Sequence, residues 1–154
     1  MRLIRTLFAA GMALAFGMGL PARALAQGYP PSVGQLVADA KRQVKTMDLA
    51  SFKSAFDRNE LGLLIDVREP EEFAGGFVPG AVNVPRGVIE LKIWAYVGYP
   101  DKTDMGRKMT LYCGSGTRCV LAAKSLQDLG FRDVTAVDMR IGDWAKAGYP
   151  LVKK

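Results

Sequence analysis

Four short apolar runs mark this chain, at residues 61–67, 81–84, 109–113 and 133–137, and helical patterns fill the intervals between them. The run at 61–67 is nearly continuous in its apolar character rather than alternating, which suits a strand buried on both faces of a parallel sheet. Parallel neighbours cannot be joined by a tight hairpin, and intervening helices supply the crossovers they need. The fold class that follows is α/β, a parallel sheet with ligand contacts at the carboxyl ends of its strands. One of those ends is a cysteine, Cys113.

The helical intervals carry their own start and stop signals. Ser32 is placed to cap a first helix, with Leu36, Val37, Ala40 and Val44 at helical spacing. Asp48 is placed to cap a second, with Leu49, Phe52, Ala55 and Phe56 apolar. Pro70 opens a brief helical turn at 69–73, and Pro79-Gly80 marks a turn. Residues 88–97 read as helix, with Ile89, Ile93, Trp94 and Val97 on one side, and 98–108 as a polar loop. A helix at 119–129 stops at Gly130, and a last one at 142–147 carries Trp144.

The first 26 residues stand apart from this pattern. Arg2 and Arg5 precede an uncharged apolar stretch at 7–20, and Ala24-Leu25-Ala26 is a small-x-small cleavage site. These are the three parts of a bacterial export leader, and the stretch is shorter than the ~20 residues that span a bilayer. The expected organisation is a cleaved signal peptide at 1–26, a tail and helix at 27–45, and the α/β domain at 46–154, located in the periplasm with no stable membrane anchor after cleavage. Removing 26 residues from 154 leaves 128, enough for one domain. Three arginines leave with the leader, so the net charge falls from +6 to +3. No basic block with interleaved aromatics appears, which argues against a nucleic-acid partner.

The stretch Tyr112-Cys113-Gly114-Ser115-Gly116-Thr117-Arg118-Cys119 joins the third run to a helix. Small residues after a cysteine let successive backbone N–H groups turn inward on one point, and the helix directs its positive end there. Such a site stabilises a thiolate, the nucleophilic form of cysteine. The chain has no histidine, which removes Cys-His and Ser-His dyads, and two thiols alone do not make a zinc site. No metal and no cofactor is expected. Cys113 and Cys119 are open to three readings: a structural disulfide, a nucleophile with a resolving thiol at Cys119, or a nucleophile with Cys119 as packing.

Three longer motifs frame this loop: Leu64-Ile65-Asp66-Val67-Arg68-Glu69-Pro70-Glu71-Glu72-Phe73, Gly76-Phe77-Val78-Pro79-Gly80-Ala81-Val82-Asn83-Val84-Pro85, and the loop itself. With the tail Trp144-Ala145-Lys146-Ala147-Gly148-Tyr149-Pro150-Leu151-Val152, they resemble a single-domain rhodanese over about residues 46–152. The resemblance implies a rhodanese-like α/β fold, a central parallel sheet of about five strands flanked by helices. It implies a sulfurtransferase of the thiosulfate:cyanide type. In it Cys113 accepts a sulfane sulfur from a small sulfur-containing anion and passes it, as a persulfide, to a thiol or cyanide. The protein would be a monomer.

The same resemblance assigns Gly114, Ser115, Gly116, Thr117 and Arg118 to the persulfide-binding loop, with Arg118 toward substrate. Asp66 and Arg68 are expected as a supporting ion pair behind the site. Arg86 and Arg140 are candidate pocket residues, and Met139 and Arg140 stand where the family commonly has two glycines, so they are expected to narrow the pocket. Two other readings remain: a non-catalytic partner-binding module of the same fold, and a phosphatase or arsenate reductase. Tyrosine phosphatases use Cys-x5-Arg, a wider ring than Cys113-x4-Arg118.

Overall fold

The computed structural model describes residues 29–153, with every regular element in the unit Pro31–Lys154. The leader expected at residues 1–26 lies outside the described residues. Five strands form one parallel sheet in the order β1-β5-β4-β2-β3, where β1 is Lys45–Met47, β2 Leu63–Asp66, β3 Val82–Asn83, β4 Met109–Tyr112 and β5 Val134–Val137. The central strand is β4, flanked by β2 (Ile65 opposite Leu111) and by β5 (Leu111 opposite Ala136). Its four residues are buried, as the apolar run at 109–113 requires.

Among the described residues six α-helices flank the sheet: α1 Pro31–Lys41, α2 Leu49–Asp57, α3 Pro70–Ala74, α4 Ile89–Lys92, α5 Thr117–Asp128 and α6 Ile141–Lys146. Asp48 caps α2 by accepting from the Ser51 N–H at 2.8 Å. Pro70 opens α3, where its missing N–H costs nothing. The helix expected over 88–97 is divided, with 3-10 turns at Arg86–Val88 and Ile93–Tyr96 on either side of α4. It nonetheless buries Ile89, Ile93 and Val97. The first helix begins at Pro31, so Ser32 lies inside it rather than before it, and Leu36 is exposed rather than core. β1 was not among the four apolar runs. It is a short polar edge strand held by parallel pairing of Lys45, Thr46 and Met47 with β5, and it straddles the boundary expected at 45/46.

Strand alternation divides the core in two. Ile65, Val67, Leu111, Cys113 and Ala136 face one side, under Cys119, Ala123 and Leu126 of α5. Leu64, Tyr112, Val137 and Met139 face the other, against Phe52, Phe73 and Trp144. Cys113 therefore points to the α5 side of the sheet, and its neighbour Tyr112 to the α2 and α6 side.

Candidate active site

The carboxyl end of β4 runs directly into the loop that precedes α5. Gly116 turns this loop with φ +81°, a left-handed conformation that side chains rarely adopt. A Cβ added there would meet the Asp138 carboxylate at 3.3 Å and the Met139 backbone at 3.6 Å, so the connection after β5 closes against the loop. Cys113 lies at the base of this turn and is fully buried, while Ser115 at its tip is exposed. The Ser115 and Thr117 hydroxyls lie 3.3 Å apart.

The second cysteine falls beneath the same loop. Cys119, in the first turn of α5, is fully buried, and its Sγ lies 3.6 Å from Cys113 Sγ. The carbonyl oxygens of Gly116 and Val137 are 3.1 Å and 3.4 Å from Cys119 Sγ. Both cysteines are free thiols rather than a disulfide. The Cys119 S–H bond to Cys113 lowers the Cys113 pKa to about 6, against the opposing effect of burial, and the N–H groups of Ser115, Cys119 and Gly116 add to the lowering. The same contact and its own burial push the Cys119 thiol upward, so Cys119 keeps its proton while Cys113 is the thiolate. Small residues, inward N–H groups, a helix N-terminus and a donor thiol converge on one sulfur.

Arg118 is directed differently from the expectation. Its two Nη atoms form a bidentate pair with Glu72 at 2.6 Å and 2.8 Å, so its guanidinium ties the loop to α3 instead of extending toward a substrate. Glu72 also accepts from the Glu69 N–H at 3.2 Å, closing the capping box of α3. The Arg118 contact holds the Glu72 carboxyl down at about 2. A Cβ on Gly114 would lie 3.0 Å from Arg118 Nη2, so any side chain there would press on this clamp. Glu72 was given no role from sequence. The spacing Glu69-x-x-Glu72 around Pro70 signals the cap, but nothing in it signals the pairing with Arg118, 46 residues away.

Asp66 and Arg68 form a buried ion pair, with Arg68 Nη2 at 2.6 Å from Asp66 Oδ2 and 2.7 Å from the Gly76 carbonyl. The Arg68 N–H also donates to Asp66 Oδ1 at 2.9 Å. The pair binds the end of β2 to the turn before β3, close enough to the loop that a Cβ on Gly114 would touch the Arg68 stem at 4.0 Å. Asn83 adds to the same junction by donating to the Asp66 and Arg68 carbonyls at 3.0 Å and 2.9 Å.

Arg86 is not at the site. It donates to Glu90 at 3.0 Å and to Ser125, two turns along α5, at 3.1 Å, and it lines a cavity of about 330 Å³ with Leu36, Ala40 and Leu121. The short α4 segment that follows β3 carries Glu90 back over Arg86, and that pairing draws the side chain away from Cys113. Met139 does not narrow a pocket, because strand parity turns it into the core beside Trp144. Arg140 is exposed at the start of α6.

The model of the rhodanese-like domain matches residues 48–147, which include every strand but the edge strand β1. The chain belongs to the rhodanese-like domain family. A sulfurtransferase of Allochromatium vinosum is 29% identical over 109 residues, covering 71% of this chain and 95% of that protein. The candidate sulfur carrier protein YrkF of Bacillus subtilis is 27% identical over 111 residues, 72% of this chain, and here the chain spans only 56% of the relative's length. A solved structure from Rhodopseudomonas palustris, a protein of unknown function described as a possible tyrosine phosphatase, superposes with a TM-score of 0.67. It is 26% identical and covers 87% of this chain and all of that one. In this rhodanese-like domain the expected α/β architecture, a five-stranded parallel sheet flanked by helices, is the one observed.

Proposed function

We propose that the protein is an exported rhodanese-type sulfurtransferase that carries a sulfane sulfur on Cys113. The observation that carries this reading is the place of Cys113, at the base of a tight loop turned by Gly116 before the N-terminus of α5, with its sulfur 3.6 Å from Cys119 Sγ, surroundings that lower its thiol to about 6. In the first half-reaction the thiolate attacks the outer sulfur of thiosulfate. The sulfur–sulfur bond breaks, sulfite leaves with the electron pair, and Cys113 becomes a persulfide anion. In the second, cyanide or a thiolate attacks the terminal sulfur and Cys113 leaves as thiolate. No proton moves in either step with cyanide, so a site without histidine and with a thiol already ionised near neutral pH suffices. Similarity to the Allochromatium sulfurtransferase over nearly the whole of that protein supports the assignment.

The description of the Rhodopseudomonas structure raises phosphate chemistry as the alternative. Two features of the loop favour sulfur. The ring is Cys113-x4-Arg118, one residue shorter than the phosphatase ring, and the arginine that would hold a phosphate is paired bidentately with Glu72. A partner-binding module of the same fold has no use for an activated thiolate. Cys113→Ser is expected to abolish thiosulfate:cyanide sulfur transfer, measured as thiocyanate formation, while circular dichroism stays that of the parent. Thiocyanate formation by that variant would refute the assignment. Phosphate release from an aryl phosphate by the parent, without sulfur transfer, would favour the rival reading.

A further inference from the structure

One group enters the sulfurtransferase cycle only as a hydrogen-bond partner of the nucleophile. Cys119 is a second thiol, fully buried, with its sulfur 3.6 Å from the nucleophile and no part in passing sulfur to an external acceptor. We propose that Cys119 is a resolving thiol that reduces the sulfur carried by Cys113 to sulfide, leaving a Cys113–Cys119 disulfide that a dithiol reductant reopens. The inference rests on the persulfide reading and adds a second outcome to it: sulfide release in place of transfer.

The geometry supplies the reach. Reactions between held groups proceed best from about 3–3.5 Å, and the two sulfur atoms rest just beyond that distance. They must close to about 2.05 Å, and the turn between them contains Gly114 and Gly116. The step balances as follows. The Cys119 proton passes to the terminal sulfur, Cys119 Sγ attacks Cys113 Sγ, the bond from Cys113 Sγ to the terminal sulfur breaks, and hydrosulfide leaves with that electron pair. Two thiols are oxidised by two electrons and the sulfane sulfur is reduced by two. Attack on the terminal sulfur instead would only move the persulfide to Cys119.

The electrostatics make the step conditional on loading. In the resting site the Cys113 thiolate holds the Cys119 proton in place through the shared hydrogen bond and its charge. Once Cys113 carries sulfur, the negative charge moves to the terminal atom and Cys113 Sγ is neutral, so the suppression of Cys119 is relieved. Burial has a second effect. Cys119 is fully buried against Cys113, so the inner thiol meets the persulfide without first passing through solvent.

The test is a single turnover under anaerobic conditions, with the reduced chain, one equivalent of thiosulfate and no added thiol or cyanide. Free sulfide and intact mass are read together. The parent is expected to release about one sulfide per chain and to finish about 2 Da lighter than the reduced protein. Cys119→Ser, which keeps a hydroxyl donor beside Cys113 but has no nucleophilic sulfur, is expected to gain about 32 Da and release no sulfide. A parent that holds a stable adduct of about 32 Da without sulfide overturns the resolving role and leaves the persulfide reading standing. Failure of parent and variant alike to take up sulfur overturns both. The parent measurement decides the matter even if Cys119→Ser does not fold, and Cys119→Ala provides a second variant.

Discussion

Cys113 and Cys119 are the same side chain in the same core, and they ionise in opposite directions. The difference comes from one shared proton and from the N–H groups that face Cys113. Alkylation of the parent by iodoacetamide is therefore expected to follow a midpoint near pH 6, well below the ~8.5 of a free thiol. A midpoint near 8.5 would show that the loop does not stabilise the thiolate. Gly116→Val tests the geometry behind it. The variant places a β-branched residue at φ +81°, which costs at least about 1–2 kcal/mol, and its Cβ crowds the Asp138 carboxylate at 3.3 Å. The expected outcome is a higher alkylation midpoint and slower labelling at pH 7, with a lower melting temperature. An unchanged labelling rate would contradict it.

Between elements, the clamp from α3 to the start of α5 is what holds the loop in register. Arg118 and Glu72 are 32% and 40% exposed, so the pair contributes under about 1 kcal/mol after solvent screening. Its pH dependence is more diagnostic than its size. The Glu72 carboxyl sits at about 2 in the folded protein against 4.5 unperturbed, so its contribution is present above about 4.5 and is lost as pH falls from there toward 2. The stability difference between the parent and Glu72→Gln, from urea unfolding, is expected to be constant near neutral pH and to shrink through that window. A difference that does not vary with pH would mean that the carboxylate is not held by Arg118. The buried Asp66–Arg68 pair does the corresponding work between β2 and the turn before β3.

For the whole molecule, the division into two cores explains why the active thiol and the largest aromatic cluster lie on opposite faces of one sheet. Trp144 packs tilted against Phe52 and edge-on against Phe56 on the Tyr112 side, with its Nε1 donating to the Pro150 carbonyl at 2.9 Å. That side anchors the floor of the site without touching its chemistry. Export belongs at this scale as well. Protein recovered from the periplasm of a Gram-negative host is expected to begin at Gln27 on N-terminal sequencing. Recovery of the intact chain from the inner membrane would replace cleavage with anchoring.

Much of this was legible from residue order, because the signals are local. The apolar runs at 61–67 and 109–113, the cap at Asp48, Pro70 at the start of α3 and the glycine-flanked loop after Cys113 each depend on neighbours within a few positions, where backbone sterics and hydrophobic burial act directly. The α/β class and the thiol at a strand's carboxyl end follow from them. What lay beyond sequence depends on partners far along the chain. β1 has no apolar run and exists because β5 offers it hydrogen bonds; Arg118 turns to Glu72 across 46 residues; Arg86 is drawn to Glu90 and Ser125; strand parity, not side-chain size, sends Met139 into the core. The separation of the two sulfur atoms is of the same kind. Six positions in sequence permit contact or its absence, and only the packing of α5 against the sheet brings Cys119 to 3.6 Å from Cys113.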